Sequence, residues 1–453
     1  MKSKMKGNQA PDGRALALGA VRAAIAAADP CKLVRRAVSR KGKILQVCGL
    51  RKDISSFDRI LVVGGGKASG AMAEELEKIV PVSEGAVAIL QGTASRFKTK
   101  NIALLEAGHP RPDEGSVRAA ERIMQLARSA GPSDLVFCLI SGGGSALLSL
   151  PAPGISVDEK ADLALALMTR GANINELNAV RRHFSLIKGG GLARALSGAG
   201  RTYSLIISDV VGNDLASIAS GPTAADPSTF ADAANVLRKY KLWEEGKWHN
   251  ARAILEAGLR GKREETLKRM PALVHGLPGG LHNFIIGSNS TAVLAACRYL
   301  SARKVEVRAI TEVAGEARAV GPKLAALLAK GDSFCAGGET TVTVKGKGRG
   351  GRNQELALSA ALKIAGKTVV LVSAGTDGID GSSPAAGAIV DGETLGRAKK
   401  MKLDARAYLN DNDSNSFFKK LGDEILTGPT GTNVNDIMIG LALGQPKSKP
   451  RNR

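Results

Sequence analysis

Three glycine-rich segments in this chain each follow a run of aliphatic residues. Gly64-Gly65-Gly66-Lys67 follows Ile60 to Val63, Ser141-Gly142-Gly143-Gly144-Ser145 follows Leu135 to Ile140, and Gly375-Thr376-Asp377-Gly378 follows Val369 to Val372. A loop leaving a parallel strand faces the N-terminus of the next helix, where free N–H groups and the helix dipole attract anions. Glycine removes the Cβ that would hold a phosphate or carboxylate oxygen away. Two of the loops add hydroxyls and one adds a lysine. The pattern predicts an anion site over Gly64, Gly65, Gly66, Ser141, Gly142, Gly143, Gly144 and Ser145. Lys67 either meets a phosphate at the helix start or is a solvated lysine on an amphipathic helix. Arg181, Arg182 and Lys188, ahead of Gly189-Gly190-Gly191, form a cationic stretch that suits the same anion pocket.

Carboxylates stand at the same kind of position. Asp209 directly follows the strand-like Ser204 to Ile207, as a general base, a metal ligand or a turn aspartate. Glu339 and Asp377 occupy equivalent strand ends in the second half. His109, in Ala107-Gly108-His109-Pro110, reads as a hydrogen-bonded structural histidine rather than a catalytic one. The first loop does not complete a dinucleotide fingerprint, because Ser69 stands where the third glycine belongs. No strand-ending acid appears about 20 residues on to hold a ribose. The Walker spacing of Gly to Gly-Lys also fails.

The elements needed to hold these residues recur along the chain. Strand, glycine turn and helix repeat from Ile60 onward, with helices expected at 15–28, 68–80, 157–170 and 174–195. The segment 231–276 reads as charged and helical, and a second strand series is expected to begin at Phe284. Alternating β and α predicts an α/β fold of two three-layer α/β/α domains, a Rossmann-like parallel sheet first and a mixed α/β domain second. The junction is placed so that the domains are 1–235 and 236–453, with the last segment free to return to the first domain.

Composition narrows the function classes. The 453 residues carry a net charge of +22, with eight basic residues and no acid between Lys32 and Lys52. With Phe 9, Tyr 4 and Trp 2, aromatic platforms for single-stranded nucleic acid are scarce, and no recognition module is present. The charge therefore reads as a solvated surface that attracts small anions, with no nucleic-acid partner. No apolar run approaches the ~20 residues of a membrane span. Five scattered cysteines read as reduced, buried small hydrophobes. A cytoplasmic location without a membrane partner is expected.

Longer stretches resemble a known family. Val63 to Ser69, Glu106 to Pro110, Leu139 to Leu148, Leu177 to His183, Ile187 to Gly190, Ser208 to Val210 and Ile218 to Thr223 carry the resemblance in the first half. Gly337 to Val342, Gly350 to Leu356, Gly375 to Gly381 and Gly428 to Asp436 carry it in the second. Together they are similar to glycerate 2-kinases of the MOFRL type, a group also labelled hydroxypyruvate reductase. The resemblance implies transfer of the ATP γ-phosphoryl group to the 2-hydroxyl of D-glycerate, or of a related hydroxy acid, with Mg²⁺. It implies Lys67, Asp209 and Arg352 as catalytic residues in a cleft between the domains. Lys188, Glu339, Asn353 and Asp377 join the glycine loops in binding the nucleotide, and Asp209 and Asp214 hold the metal. A homodimer is compatible with it. The alternative, a nicotinamide-dependent hydroxypyruvate reductase, requires the dinucleotide fingerprint that is missing. Three positions depart from the family pattern: Val211-Gly212-Asn213, where an acid is lost, Gly191 in place of an arginine, and Ser382-Ser383-Pro384, where another aspartate is lost.

Overall fold

A computed structural model describes residues 12–269 and 280–443. The chain divides into two compact units, one spanning Pro30–Ser288 and one made of the described residues before Pro30 together with those from Asn289 onward. The division falls at 288/289, not at the expected 235/236, and it is the first segment of the chain, not the last, that joins the other unit.

In the first unit six strands pair in parallel. Their spatial order is Ile102–Ala107, Glu84–Leu90, Arg59–Gly65, Asp134–Ile140, Arg201–Ile207, Leu281–Gly287. Numbered along the chain this is 3-2-1-4-5-6, the doubly wound order. The two strands Asp134–Ile140 and Arg201–Ile207 are buried at every residue, and the first reads as an apolar run from Leu135 onward rather than an alternating one. Leu281–Gly287 was expected to open the second series. It instead completes this sheet, because its pairing with Arg201–Ile207 is a long-range contact that no local pattern announces.

One face of the sheet presents Leu61, Val63, Val136 and Cys138, which cluster with Ala120, Ile123 and Met124 of the helix Glu114–Arg128. That helix starts on a reciprocal cap in which Asp113 accepts from the Ser116 N–H at 2.8 Å. The stretch expected as one helix over 174–195 is two, Ile174–His183 and Gly191–Ala195. Gly189 and Gly190, at φ +54° and +78°, turn the chain between them.

The second unit is mixed, not parallel throughout. Arg308–Glu316 pairs in parallel with Phe334–Thr341, while the remaining pairings are antiparallel. The final strand, Asp436–Ala442, lies in the interior of the sheet between Phe334–Thr341 and Val369–Gly375. The helix Gly13–Ala27 packs against Asn289–Ser301 and this last strand. Arg14 ties it down, pairing with Asp391 and, at 2.5 Å, with Asp423.

The basic run from Lys32 folds as the helix Pro30–Ala37 and a small antiparallel sheet with most of its cations exposed, as a solvated surface requires. The five cysteines form no disulfide; Cys138 and Cys335 are buried, but Cys48 is exposed, against expectation. Among the described residues no helix is long and apolar enough to cross a membrane.

Candidate active site

The doubly wound order reverses between Arg59–Gly65 and Asp134–Ile140, and the crevice beyond such a reversal is where these sheets bind ligands. The first two glycine loops leave those two strands. Their glycines have separate reasons to be glycine. Gly64 and Gly66 sit at φ +140° and +150°, and a Cβ would lie 2.1 Å from Leu139 O on the first and 2.2 Å from Ser141 Oγ on the second. The backbone donors here are already engaged. Gly66 N–H donates to Ala88 O at 3.1 Å, Lys67 N–H to Gly142 O at 2.8 Å, and Ala68 N–H to Ser141 Oγ at 3.0 Å. The glycine pattern predicted that these amides would face an anion. Those of Lys67 and Ala68 instead dock the first loop onto the second, and that of Gly66 is held by the neighbouring strand Glu84–Leu90.

The docking brings side chains together at Gly142 and Gly143. A Cβ on Gly142 would meet Asp209 Oδ2, and one on Gly143 (φ +81°) would lie 2.9 Å from Lys67 Cγ and 3.2 Å from His109 Cδ2. Lys67, Asp209 and His109, from three separate loops, therefore border one glycine pair. Lys67 is exposed, and Asp209 and His109 are half-buried. Burial, followed by the charge of Lys67, pushes the His109 imidazolium down to about 4. At neutral pH the ring is uncharged, so it can exchange hydrogen bonds without adding a charge.

Beneath this pair runs a strained segment. Ala219, Ser220 and Gly221 take φ +51°, +61° and +68° in succession, a region that non-glycine residues rarely enter. Ser220 Oγ holds Ser145 Oγ at 2.8 Å and donates to Asn178 Oδ1 at 3.1 Å, while Lys188 Nζ donates to Ser145 O. Ser145 is thereby held by Ser220 of the motif Ile218 to Thr223 and by Lys188.

Gly143 and Ser145 open onto a cavity of about 410 Å³, lined also by His109, Lys160, Leu165, Met168, Arg181 and Lys188. The cationic character expected of Arg181 and Lys188 is present. Arg182 points elsewhere, pairing with buried Asp226 at 2.8 Å. Lys160 was missed: in Asp158-Glu159-Lys160-Ala161-Asp162 it looks like part of a solvated helix face. It is 5% exposed instead. Burial, with Arg181 adding repulsion, lowers the Lys160 ammonium to about 7. Burial, then Lys160 and Arg181, drive Lys188 well below its ordinary value.

Asp214 is exposed and occupied with its own turn, accepting from Ser217 Oγ at 2.6 Å and from Ala216 N–H at 3.2 Å. It lines a different hollow of about 550 Å³, with Arg182 and Asn283. Among the described residues no three His, Cys, Asp or Glu side chains are grouped to hold a metal ion. The departures from the family pattern have local reasons. Gly191 admits no side chain, since a Cβ would lie 2.2 Å from Leu186 O. Asn213 takes φ +56°, a conformation that asparagine tolerates. Ser383 Oγ is buried and accepts from Asn415 Nδ2 at 2.8 Å.

In the second unit the predicted Glu339, Arg352 and Asn353 come together around a residue the sequence reading had not singled out, Asp436. Arg352 Nε lies 2.7 Å from Asp436 Oδ2, its Nη2 donates to Oδ1 at 3.1 Å, and its Nη1 pairs with Glu339. Asn353 Nδ2 donates to Asp436 Oδ1 at 3.0 Å. Asp436 is fully buried, and burial outweighs its partners to push its carboxyl up to about 6. Asp380, also unassigned before, accepts the Asn353 and Gln354 N–H groups at 2.9 and 2.8 Å, at the start of the helix Arg352–Ile364. Burial raises it to about 7. Asp377 accepts from Ile379 N–H at 3.2 Å within its loop, and a Cβ on Gly375 would lie 3.1 Å from its Oδ1.

Two family models match: "Domain of unknown function (DUF4147)" over residues 16–256 and "MOFRL family" over residues 333–436. The chain is 41% identical to a glycerate 2-kinase of Pyrococcus horikoshii, over 96% of this chain and 99% of that protein. It is also similar to a protein of Agrobacterium vitis carrying the name hydroxypyruvate reductase, 40% identical over 84% of this chain and 86% of the relative. The crystal structure of glycerate kinase from Thermotoga maritima superposes with a TM-score of 0.81 at 37% identity, over 94% of this chain and 99% of that one. The chain belongs to the glycerate 2-kinase family of the MOFRL type.

Proposed function

We propose that the protein transfers the γ-phosphoryl group of ATP to the 2-hydroxyl of D-glycerate, giving 2-phosphoglycerate and ADP. The observation that carries the reading is the convergence of Lys67 and Asp209 on Gly142 and Gly143 at the sheet's reversal point. Phosphoryl transfer asks for positioning and charge neutralisation more than covalent chemistry. Asp209 takes the proton of the acceptor hydroxyl as its oxygen bonds to the γ-phosphorus and the bond to the β-phosphate oxygen breaks. Lys67 neutralises charge on the transferring group. Ser145 and Lys188 line the adjoining cavity. The 64–66 glycines act by letting the loops dock. Arg352 keeps the catalytic role, and Glu339, Asn353 and Asp377 the nucleotide-binding roles, that the resemblance implies, with Asp436 holding Arg352 in place.

Mg²⁺ fits a donor set of this kind, since it is commonly bound by one or two carboxylates together with nucleotide phosphates rather than by an all-protein cage. Asp209 is its candidate ligand, and Asp214, committed to its turn, is the weaker one. When bound, the ion supplies charge neutralisation at the phosphate oxygens.

The reductase reading finds less support: the first-loop amides are engaged, and Glu84–Leu90 is followed by Gln91 rather than an acid. The test is ATP consumption with D-glycerate against a panel of small hydroxy acids, with the product resolved as 2- or 3-phosphoglycerate. NADH oxidation with hydroxypyruvate and no ATP-dependent turnover would reverse the assignment.

A further inference from the structure

The cavity bordered by Gly143 has an unusual charge balance. Lys160, Arg181 and Lys188 all line it, and among the described residues no carboxylate does. Lys160 and Lys188 are 5% and 3% exposed. Among the described residues Lys188 Nζ donates only to a carbonyl, Ser145 O, and Lys160 Nζ has no hydrogen-bond partner. A buried ammonium without a partner costs far more than one in water, and its neighbours here repel it. The arrangement is relieved by an anion, and three cations suit several negative charges better than a single carboxylate. One wall is different in kind. Leu165 and Met168, on the same helix as Lys160 (Val157–Thr169), stand 52% and 47% exposed beside Ala161 and Ala164. A ligand combining a polyanionic tail with a flat apolar group satisfies both walls.

We infer that this cavity seats the nucleoside triphosphate, its phosphate tail on Lys160, Arg181 and Lys188 and its base against Leu165 and Met168. The γ-phosphate then points past Ser145 and Gly143 toward Lys67. The assignment rests on the kinase reading for the identity of the nucleotide, but the polyanion site stands on its own geometry.

Calorimetric titration of the intact protein without turnover tests it, using tripolyphosphate, ADP and D-glycerate separately. Lys160→Met keeps the apolar stem and removes the charge. Loss of one hydrogen bond to a charged group should weaken tripolyphosphate and ADP roughly 10- to 150-fold. D-glycerate binding should stay unchanged. Leu165→Ala should weaken ADP and spare tripolyphosphate. Wild-type protein that ignores tripolyphosphate, or equal affinity in wild type and Lys160→Met, overturns the site. Weakening confined to D-glycerate gives the cavity to the acceptor carboxylate instead, and also overturns it. Tripolyphosphate binding that depends on Lys160, in a protein that does not turn over D-glycerate, upholds the polyanion site while the kinase reading fails. A thermal melt guards against misfolding, and removal of an unpaired buried charge should leave Lys160→Met at least as stable as the parent.

Discussion

Asp209 and Gly142 stand so close that only a hydrogen fits between them: a Cβ on Gly142 would lie 2.2 Å from Asp209 Oδ2. Gly142→Ala should therefore displace the carboxylate while leaving the sheet intact. Misplacing a reacting group by about 1 Å can cost on the order of 10²-fold, so turnover should fall by about that factor with unchanged circular dichroism. Undiminished turnover in Gly142→Ala would remove Asp209 from the chemistry.

Lys67 is exposed and packs on glycine, so it contributes little to the core. Lys67→Ala should keep the parental melting temperature and lose roughly 10²–10³ in rate, the usual effect of deleting an electrostatic partner of the transition state. Near-parental turnover would return Lys67 to the solvated surface.

Arg352 is the partner that makes fully buried Asp436 tolerable. Arg352→Ala strands that carboxylate and should destabilise the second unit by roughly 3–5 kcal/mol. Denaturant unfolding measures this. Glu339→Gln, whose pair is more exposed, should cost far less. Equal, small effects would contradict the role assigned to Asp436.

Asp380 and Asp436 are raised to about 7 and about 6 in the folded chain, above the ordinary carboxylate range. The folded state thus binds these protons more tightly than the unfolded chain, and their contribution favours folding at low pH. It is full below about pH 4 and is lost as pH rises toward 7. Asp380→Asn should flatten the fall in melting temperature across that window. A slope identical to the parent's would count against the burial of an uncharged Asp380.

Lys160, held near 7 by burial, should regain its proton when an anion sits beside it. Nucleotide binding near pH 7.5 should take up protons, seen as a dependence of the binding enthalpy on the buffer's ionisation enthalpy. Lys160→Met should reduce that uptake.

The local signals in this sequence were strong where strand, glycine and helix follow one another. Residues 59–69 and 134–145 placed Lys67 and the second loop correctly because each unit is written in a dozen consecutive residues. At Gly64 and Gly66 the close approach is to a neighbouring loop, and such an approach requires the same residue type as close approach to a phosphate, so residue type alone does not separate the two. Lys160 was hidden because a buried lysine flanked by Asp158, Glu159 and Asp162 has the pattern of a wet helix face. Asp436 and Asp380 lie in turn-rich motifs whose carboxylates gain meaning only from Arg352 and the helix start at Asn353. The place of Leu281–Gly287 and Asp436–Ala442 in their sheets depends on partners dozens of residues away, which periodicity does not report.

The helix Gly13–Ala27 and the strand Asp436–Ala442 pack in one unit, with Pro30–Ser288 forming another between them. The earliest and latest parts of this unit to leave the ribosome must meet before it is whole. Once residue 288 has been made, the Pro30–Ser288 unit can fold with all its strands present, while the early helix still waits with its apolar face uncovered. A chain stopped short of residue 436 lacks an interior strand, so premature termination even this near the end leaves a gap in the sheet rather than a trimmed edge.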